Sequence, residues 1–290
     1  MHSSFAFAAP QPARTAPAPA TMPGRRSPPP VAPAPAATLA LLGSPRLCVA
    51  DGRELRLQYR KGWALLAWLL AHPAQSQRRA RLAALLWPRL PEPAALINLR
   101  QVLCDLNQKL SPLLGSSPLV CDRYTVRWCP TPRLRVDVEH LGAGVIDAPA
   151  EAFAAPHDGE LLGGLYLDDC DEFNDWLQAM RTRLAREQDR ALEARREQLV
   201  QAGRIDEAVA VARQLAAREP WDEPRCRALM RVLALAGEHQ RAMDAYEELA
   251  SALRKELGTE PQPESRAMYV GIRASQRACE LALQDHALGG

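Results

Sequence analysis

The chain has 290 residues, of which 47% are apolar and 24% are charged, and this is the composition of a globular protein with room for two domains. An integral membrane protein is not expected, because the best apolar run, Trp63 to Leu70, is far shorter than the roughly 20 residues of a spanning helix. The seven cysteines are scattered and never spaced as C-x-x-C, which predicts a reducing cytoplasm and neither a disulfide framework nor a zinc knuckle.

The net charge of +2 is unevenly distributed along the chain. Residues 38–135 hold 15 lysines and arginines against five acidic residues, a net charge of +10, whereas residues 136–290 carry −11. This asymmetry predicts a polyanion-binding module beside a module that does not bind polyanions, although drift of surface charge between two domains would look the same. Residues 1–37, rich in proline and alanine, are predicted to be a disordered tail without the basic region of a secretory signal.

The basic segment begins with short β-like runs followed by helical patterns. The runs "TLALLG" and "RLCVADGRELRLQ" predict a small antiparallel sheet with a turn at Asp51-Gly52. A helix is predicted from Arg60 to His72, where Pro73 ends it. A second, short helix is predicted in "QRRARLAALLW", with Ser76 as its cap.

A third helix is predicted from Ala94 to Leu110, with Pro112 and Gly115 closing it. One stripe of this helix is apolar and is expected to face the core: Leu96, Leu99, Leu103, Leu106 and Leu110. The opposite face carries Ile97, Gln101, Cys104 and Gln108, with Asn98, Arg100, Asp105 and Asn107 at its margins. A hairpin in "PLVCDRYTVRWCP" follows, and this order of elements predicts a winged helix whose third helix enters the major groove of DNA.

The stretches "LLGSPRLCVADGRELRL", "RKGWALLAWLLAHP", "RRARLAALLWP" and "NLRQVLCDLNQKL" resemble the winged-helix domain of the bacterial antibiotic-regulatory-protein type of transcription activator. The resemblance assigns residues 38–138 to this DNA-binding domain. It also implies that the third helix contacts bases through Asn98, Gln101, Cys104, Asp105 and Asn107. Gln and Asn can pair with adenine, an aspartate can accept from cytosine, and arginines suit phosphates, for which the candidates are Arg100, Arg123 and Arg127.

Two features depart from the family pattern. Asp105 and Asn107 stand where members of the family usually have arginines, and the wing turn has no glycine. An alternative function therefore stays open, in which the chain is a protein-interaction or scaffold module whose winged helix no longer reads DNA.

The acidic half contains a repeat. "AGRIDEAVAVARQLAAREP" and "AGEHQRAMDAYEELASALR" align with Gly203 over Gly237 and Ala208 over Ala242, an offset of 34 residues. This is the tetratricopeptide period. Together with "GELLGGLYLDDCDEFNDWLQAMRTRL", the repeat is similar to the bacterial transcriptional activator domain of the same family, which assigns it residues 139–284 and leaves 285–290 as a flexible C-terminus. Phe173, Trp176 and Leu177 are predicted to pack in a core.

No phosphate loop, nucleophile elbow or zinc-protease helix occurs in the sequence, and the six histidines are not spaced as ligands. We therefore expect no catalysis, no cofactor and no metal site, and read the acidic run around Asp169 as charge at a helix N-terminus. The predicted fold is mainly α, a winged helix with a small antiparallel sheet followed by an all-α helical repeat. The predicted function is a cytoplasmic, nucleoid-associated regulator that binds double-stranded DNA. Further candidate partners are RNA polymerase and a protein or second copy held by the repeats.

Overall fold

The computed structural model describes residues 35–138 and 159–288, with side chains as far as residue 278. The predicted tail, apart from its last residues, and the glycine-containing connector around Gly142 lie outside the described residues. Within these ranges no helix is both long enough and apolar enough to cross a bilayer.

A four-stranded sheet opens the described chain. Strands β1 (Ala37–Ala40), β2 (Arg46–Val49) and β3 (Glu54–Leu55) pair antiparallel with one another, as predicted, in the order β3-β2-β1. Strand β7 (Leu134–Val136) pairs in parallel with β1, so the chain returns to its first strand after the wing. The sequence did not predict this parallel strand, because three residues carry too little alternation to be distinguished from loop.

Three helices follow, and they fulfil the pattern of a winged helix. Helix α1 spans Arg60–Ala71, α2 spans Arg79–Leu86, and α3 spans Glu92–Leu114. The predicted Ser76 cap is wrong, because a two-residue strand, β4 (Gln77–Arg78), intervenes and extended Arg78 precedes α2 without a side-chain cap. Helix α3 also passes through Pro112 and ends at Gly115, whose φ of +74° is the left-handed conformation that glycine adopts readily.

The wing is a three-stranded sheet in the order β4-β6-β5. Strand β5 (Leu119–Cys121) and β6 (Thr125–Trp128) form the predicted hairpin, and β4 pairs with β6 through Gln77 opposite Val126. The start of the second helix is thereby attached directly to the wing.

The C-terminal half is helical throughout its described residues from Asp171 onwards, apart from its turns. It comprises α4 (Asp171–Gln201), α5 (Ile205–Arg218), α6 (Glu223–Leu235), α7 (His239–Ala252), a π-helical turn (Leu253–Leu257) and α8 (Pro263–Leu288). Helices α5 and α7 have 14 residues each and begin 34 positions apart, so the predicted repeat is confirmed. Gly203 and Gly237 precede them with φ of +70° and +77°, where a side chain would be strained.

The described apolar side chains form two cores, and their division does not follow the sequence boundary at residue 138. The first core holds the winged helix together with Leu161, Leu162, Phe173, Leu177 and Leu184 from the acidic half. Phe173 is fully buried, and Trp176 contacts Phe173 and Trp68 with ring centroids 5.4 Å and 4.9 Å apart. The second core runs from Leu199 to Ile272. The predicted packing role of Phe173, Trp176 and Leu177 is confirmed, and the winged helix depends on them.

We expect Phe173→Ala to destabilise the winged helix by about 3–5 kcal/mol, because it opens a cavity in the first core. Urea titration followed by tryptophan fluorescence measures the effect, and Leu235→Ala, at a site 58% exposed on α6, is the control. An unchanged unfolding transition for Phe173→Ala would show that the two segments do not share a core.

Candidate nucleic-acid interface

The solvent-facing side of helix α3 is the first part of the candidate interface. Gln101, Cys104 and Asn107 are exposed, Arg100 is exposed beside them, and Asn98 is half-buried. Four of the five predicted core leucines are buried, and Leu96 is partly buried against the same core. The helix therefore presents to solvent a strip in which polar side chains surround exposed Ile97 and Cys104.

Asp105 is not part of this strip, and its predicted base contact is corrected. The side chain is only 7% exposed, and its Oδ2 accepts a hydrogen bond from the main-chain N–H of Gln58 at 3.0 Å. Asp105 lies on the flank of α3 that the loop before α1 covers, so its carboxylate is held by the main chain of that loop and is largely shielded from solvent.

Asn107 remains on the exposed face but has a local partner. Its Oδ1 accepts a hydrogen bond from the hydroxyl of Ser111, one turn later, at 2.7 Å. The carboxamide is thereby oriented along the helix, and a base contact by Asn107 would have to use its amide N–H groups.

Asn98 and Gln101 also line a groove that continues into the acidic half of the chain. This groove encloses about 580 Å³. Its other walls are the start of α1 (Gln58, Tyr59, Arg60 and Lys61), Trp87, Val102 and the segment Tyr166–Asp169. Tyr166 is 60% exposed, and its main-chain oxygen accepts from Arg60. The segment Tyr166–Asp169 of the acidic half therefore borders the N-terminal part of the exposed face of α3.

The wing turn is built by Asp122 in place of a glycine. Its Oδ1 accepts from the main-chain N–H groups of Tyr124 and Thr125, both at 2.6 Å, and its Oδ2 accepts from the Thr125 hydroxyl at 2.8 Å. These hydrogen bonds, the one from the Thr125 N–H above all, lower the pKa of the Asp122 carboxyl. The absence of glycine therefore does not leave the turn unformed, because an aspartate side chain closes it.

The predicted phosphate contacts on the wing are accessible. Arg123 is exposed, with its guanidinium 5.4 Å from the ring centre of Tyr124, and Arg127 is half-buried on β6. Burial raises the pKa of the Cys121 thiol at the end of β5, and Cys104 on the exposed face of α3 lies close enough to contribute to this rise.

Arg79 is a further candidate for the interface that the sequence analysis missed. Its Nη1 donates to the main-chain oxygen of Asp122 at 3.1 Å, and its N–H donates to the oxygen of Tyr124 at 2.8 Å. Neighbouring Arg78 is exposed, so two arginines at the start of α2 join the base of the wing. The run "QRRAR" shows three closely spaced arginines in the sequence, but the sequence pattern predicts only the opening of a helix there.

Ion pairs connect the acidic segment before α4 to the winged helix. The ammonium of Lys61 contacts Asp169 at 2.9 Å and the oxygen of Leu86 at 2.6 Å, and Arg81 pairs with Glu172. The hydrogen bond from Lys61 lowers the pKa of Asp169, while burial raises the pKa of neighbouring Cys170 to about 11. Among the described residues no cluster of three metal-ligating side chains occurs.

Comparisons with known proteins agree with this arrangement. Residues 147–273 match the model of the bacterial transcriptional activator domain. The fold is similar to that of Mycobacterium tuberculosis EmbR, solved in complex with a low affinity phosphopeptide, with a TM-score of 0.58 and 21% identity over 83% of this chain. The match covers 65% of the EmbR chain. The comparison with curated proteins gives no match. The family match confirms the predicted resemblance of the C-terminal half to this domain, and the structural similarity confirms the predicted fold class.

We expect Asp105→Ala to lower the free energy of unfolding by about 1–3 kcal/mol, because the Gln58 N–H loses its buried acceptor. Asp105→Asn keeps an acceptor oxygen, so its free energy of unfolding should fall less. Urea titration of both variants tests this order. A loss of sequence preference in DNA binding with unchanged stability would instead place Asp105 in the reading face.

The Lys61–Asp169 pair predicts a pH dependence. Since the pKa of Asp169 is lowered in the folded protein, the pair contributes stability above the ordinary aspartate pKa of about 3.9 and loses it as the pH falls through the lowered value. Asp169→Asn should therefore cost up to about 1 kcal/mol at pH 7, and this difference should shrink below about pH 4. Thermal unfolding from pH 3 to 7 measures it, with exposed Asp175→Asn as the control. A difference that stays constant with pH would contradict the assignment.

Proposed function

We propose that this chain is a bacterial transcription regulator that binds double-stranded DNA, with α3 in the major groove and the wing along the phosphate backbone. The observation that carries the proposal is the exposed polar strip of α3, with Gln101 and Arg100, beside a wing presenting Arg123 and Arg127. The net charge of +10 over residues 38–135 supports it, because positive charge supplies most of the affinity for a duplex. The family match of residues 147–273 supports a role in activation.

The burial of Asp105 weakens the scaffold alternative. That alternative rested on an acid and a missing glycine where the family has arginines and a flexible turn, and Asp105 serves the fold while Asp122 closes the wing turn. Neither departure places a negative charge in the exposed strip of α3. A DNA-reading role therefore agrees better with the side-chain positions than a degenerate winged helix does.

The helical repeats are proposed as the protein-binding part of the regulator. Their predicted partners, RNA polymerase or a second copy of the chain, suit an array of paired helices with an acidic surface. The proposed location is the cytoplasm, at the nucleoid, where a DNA-binding activator acts. No step of this function requires catalysis or a cofactor.

The wing arginines provide the test of DNA binding. Replacing Arg123 and Arg127 together with Ala should weaken binding to all duplexes alike and flatten the slope of log affinity against log salt by up to about two, because two phosphate contacts are lost. Fluorescence anisotropy with the full chain at several salt concentrations measures both effects.

The matched control replaces Arg204 and Arg254, whose side chains on the helical repeats are 51% and 68% exposed, and it should leave the slope unchanged. Gln101→Ala should spare binding to random DNA and weaken binding to a selected site by about 1–3 kcal/mol. Failure of the full chain to retain any duplex at low salt would overturn the proposed function.

A further inference from the structure

The centre of the exposed face of α3 is apolar, although its edges are polar. Ile97 is 59% exposed, the most exposed aliphatic side chain on the winged helix among the described large hydrophobic residues. Arg100 and Gln101 flank it, and Cys104 lies two turns further on. A single exposed isoleucine is unremarkable on most surfaces, but this one stands on the strip proposed to enter DNA.

Helical geometry places Ile97 at the most outward point of that strip. At about 100° per residue, Ile97 and Cys104 lie about 20° apart, with Gln101 about 40° to one side and Arg100 about 60° to the other. The buried leucines Leu99 and Leu106 lie on the opposite side of the helix. A helix lying in a groove with its buried side away from the DNA inserts its most outward residues deepest, so Ile97 and Cys104 would meet base edges before the flanking polar groups do.

The floor of the major groove offers one apolar group, the C5-methyl of thymine. Polar base edges would lose water to an isoleucine without gaining a hydrogen bond, so an isoleucine at the deepest point disfavours them. The same contact buries a thymine methyl group, which is favourable because both groups are apolar. The charge of the surrounding surface brings the duplex to this face, and the side chain then discriminates among bases.

We propose that Ile97 is a specificity-determining residue that recognises a thymine methyl group in the major groove. The inference rests on the proposed function and adds the base that this position selects. Gln101 lies one turn further along α3, a rise of about 6 Å, so the adenine that Gln101 suits lies within about two base pairs of that thymine. Burial of one methyl group corresponds to about a fourfold change in Kd.

The experiment begins with selection of binding sites from a random duplex library by the full-length chain. In the selected site each thymine is replaced in turn by deoxyuridine, which lacks only the methyl group. For the wild type, replacement at one thymine near the Gln101 adenine should weaken binding about fourfold. For Ile97→Ala, the same replacement should change Kd less than about 1.5-fold.

A second arm restores the methyl group on a different base. At the same position, 5-methylcytosine should bind the wild type more tightly than cytosine does, and Ile97→Ala should not distinguish the two. Ile97→Val keeps an apolar side chain on the exposed surface and should retain most of the sensitivity. Leu235→Ala, which removes a similarly exposed side chain from α6, should retain all of it.

The possible outcomes distinguish failure of the role of Ile97 from failure of the proposed DNA binding. A selected site without any thymine whose methyl effect depends on Ile97 overturns the inference and leaves DNA reading by α3 standing. A library that yields no preferred site, or a chain that binds no duplex, overturns the proposed function and this inference with it. A methyl effect present in the wild type and Ile97→Val but lost in Ile97→Ala establishes it.

Discussion

The burial of Phe173 and its neighbours against the winged helix is the constraint on which the rest of the structure depends. A winged helix of about 100 residues has only a small core of its own, and here Leu161, Leu162, Phe173 and Leu177 complete it from the acidic half. Two ion pairs, Lys61–Asp169 and Arg81–Glu172, also join the acidic half to the winged helix. Helix α3 therefore packs in a core that includes the start of α4, and the sequence boundary at residue 138 does not separate the two cores.

Several acidic residues of the C-terminal half are paired with cations in the folded chain. The acidic half carries −11 overall, but Asp169 and Glu172 are neutralised by cations of the winged helix. Asp189 likewise pairs with Arg218 and Arg225 inside the repeats. Asp168 stays exposed at the edge of the groove that Gln101 lines, where its charge opposes a phosphate backbone. The asymmetry of charge thus contributes ion pairs between the two halves and would, in the proposed complex with DNA, limit where the duplex can approach.

Periodicity in the sequence was sufficient for the helices, the repeat and most of the exposed strip of α3, because each depends on local spacing. The leucine stripe determined which side of α3 is buried, and the 34-residue offset recurs in the start positions of α5 and α7. Asp105 was misplaced because a helical wheel shows which residues share a flank and not which flank a distant loop covers. Arg79 was missed for a similar reason, since its contact with the wing joins residues 43 positions apart. Parallel strand β7 and the shared core depend on the same kind of long-range pairing.

Helix α4 has a consequence for the proposed binding of DNA. Its 31 residues run without interruption for about 46 Å, with Phe173 in the first core and Leu199 in the second. Because α4 is one continuous helix between these two cores, it connects the helical repeats directly to the winged helix. A protein held by the repeats would then be presented at one angular position around the duplex. B-DNA turns once in about 10.5 base pairs. The spacing between the proposed site of this chain and its partner's site would therefore set their relative positions around the helix axis as well as the distance between them.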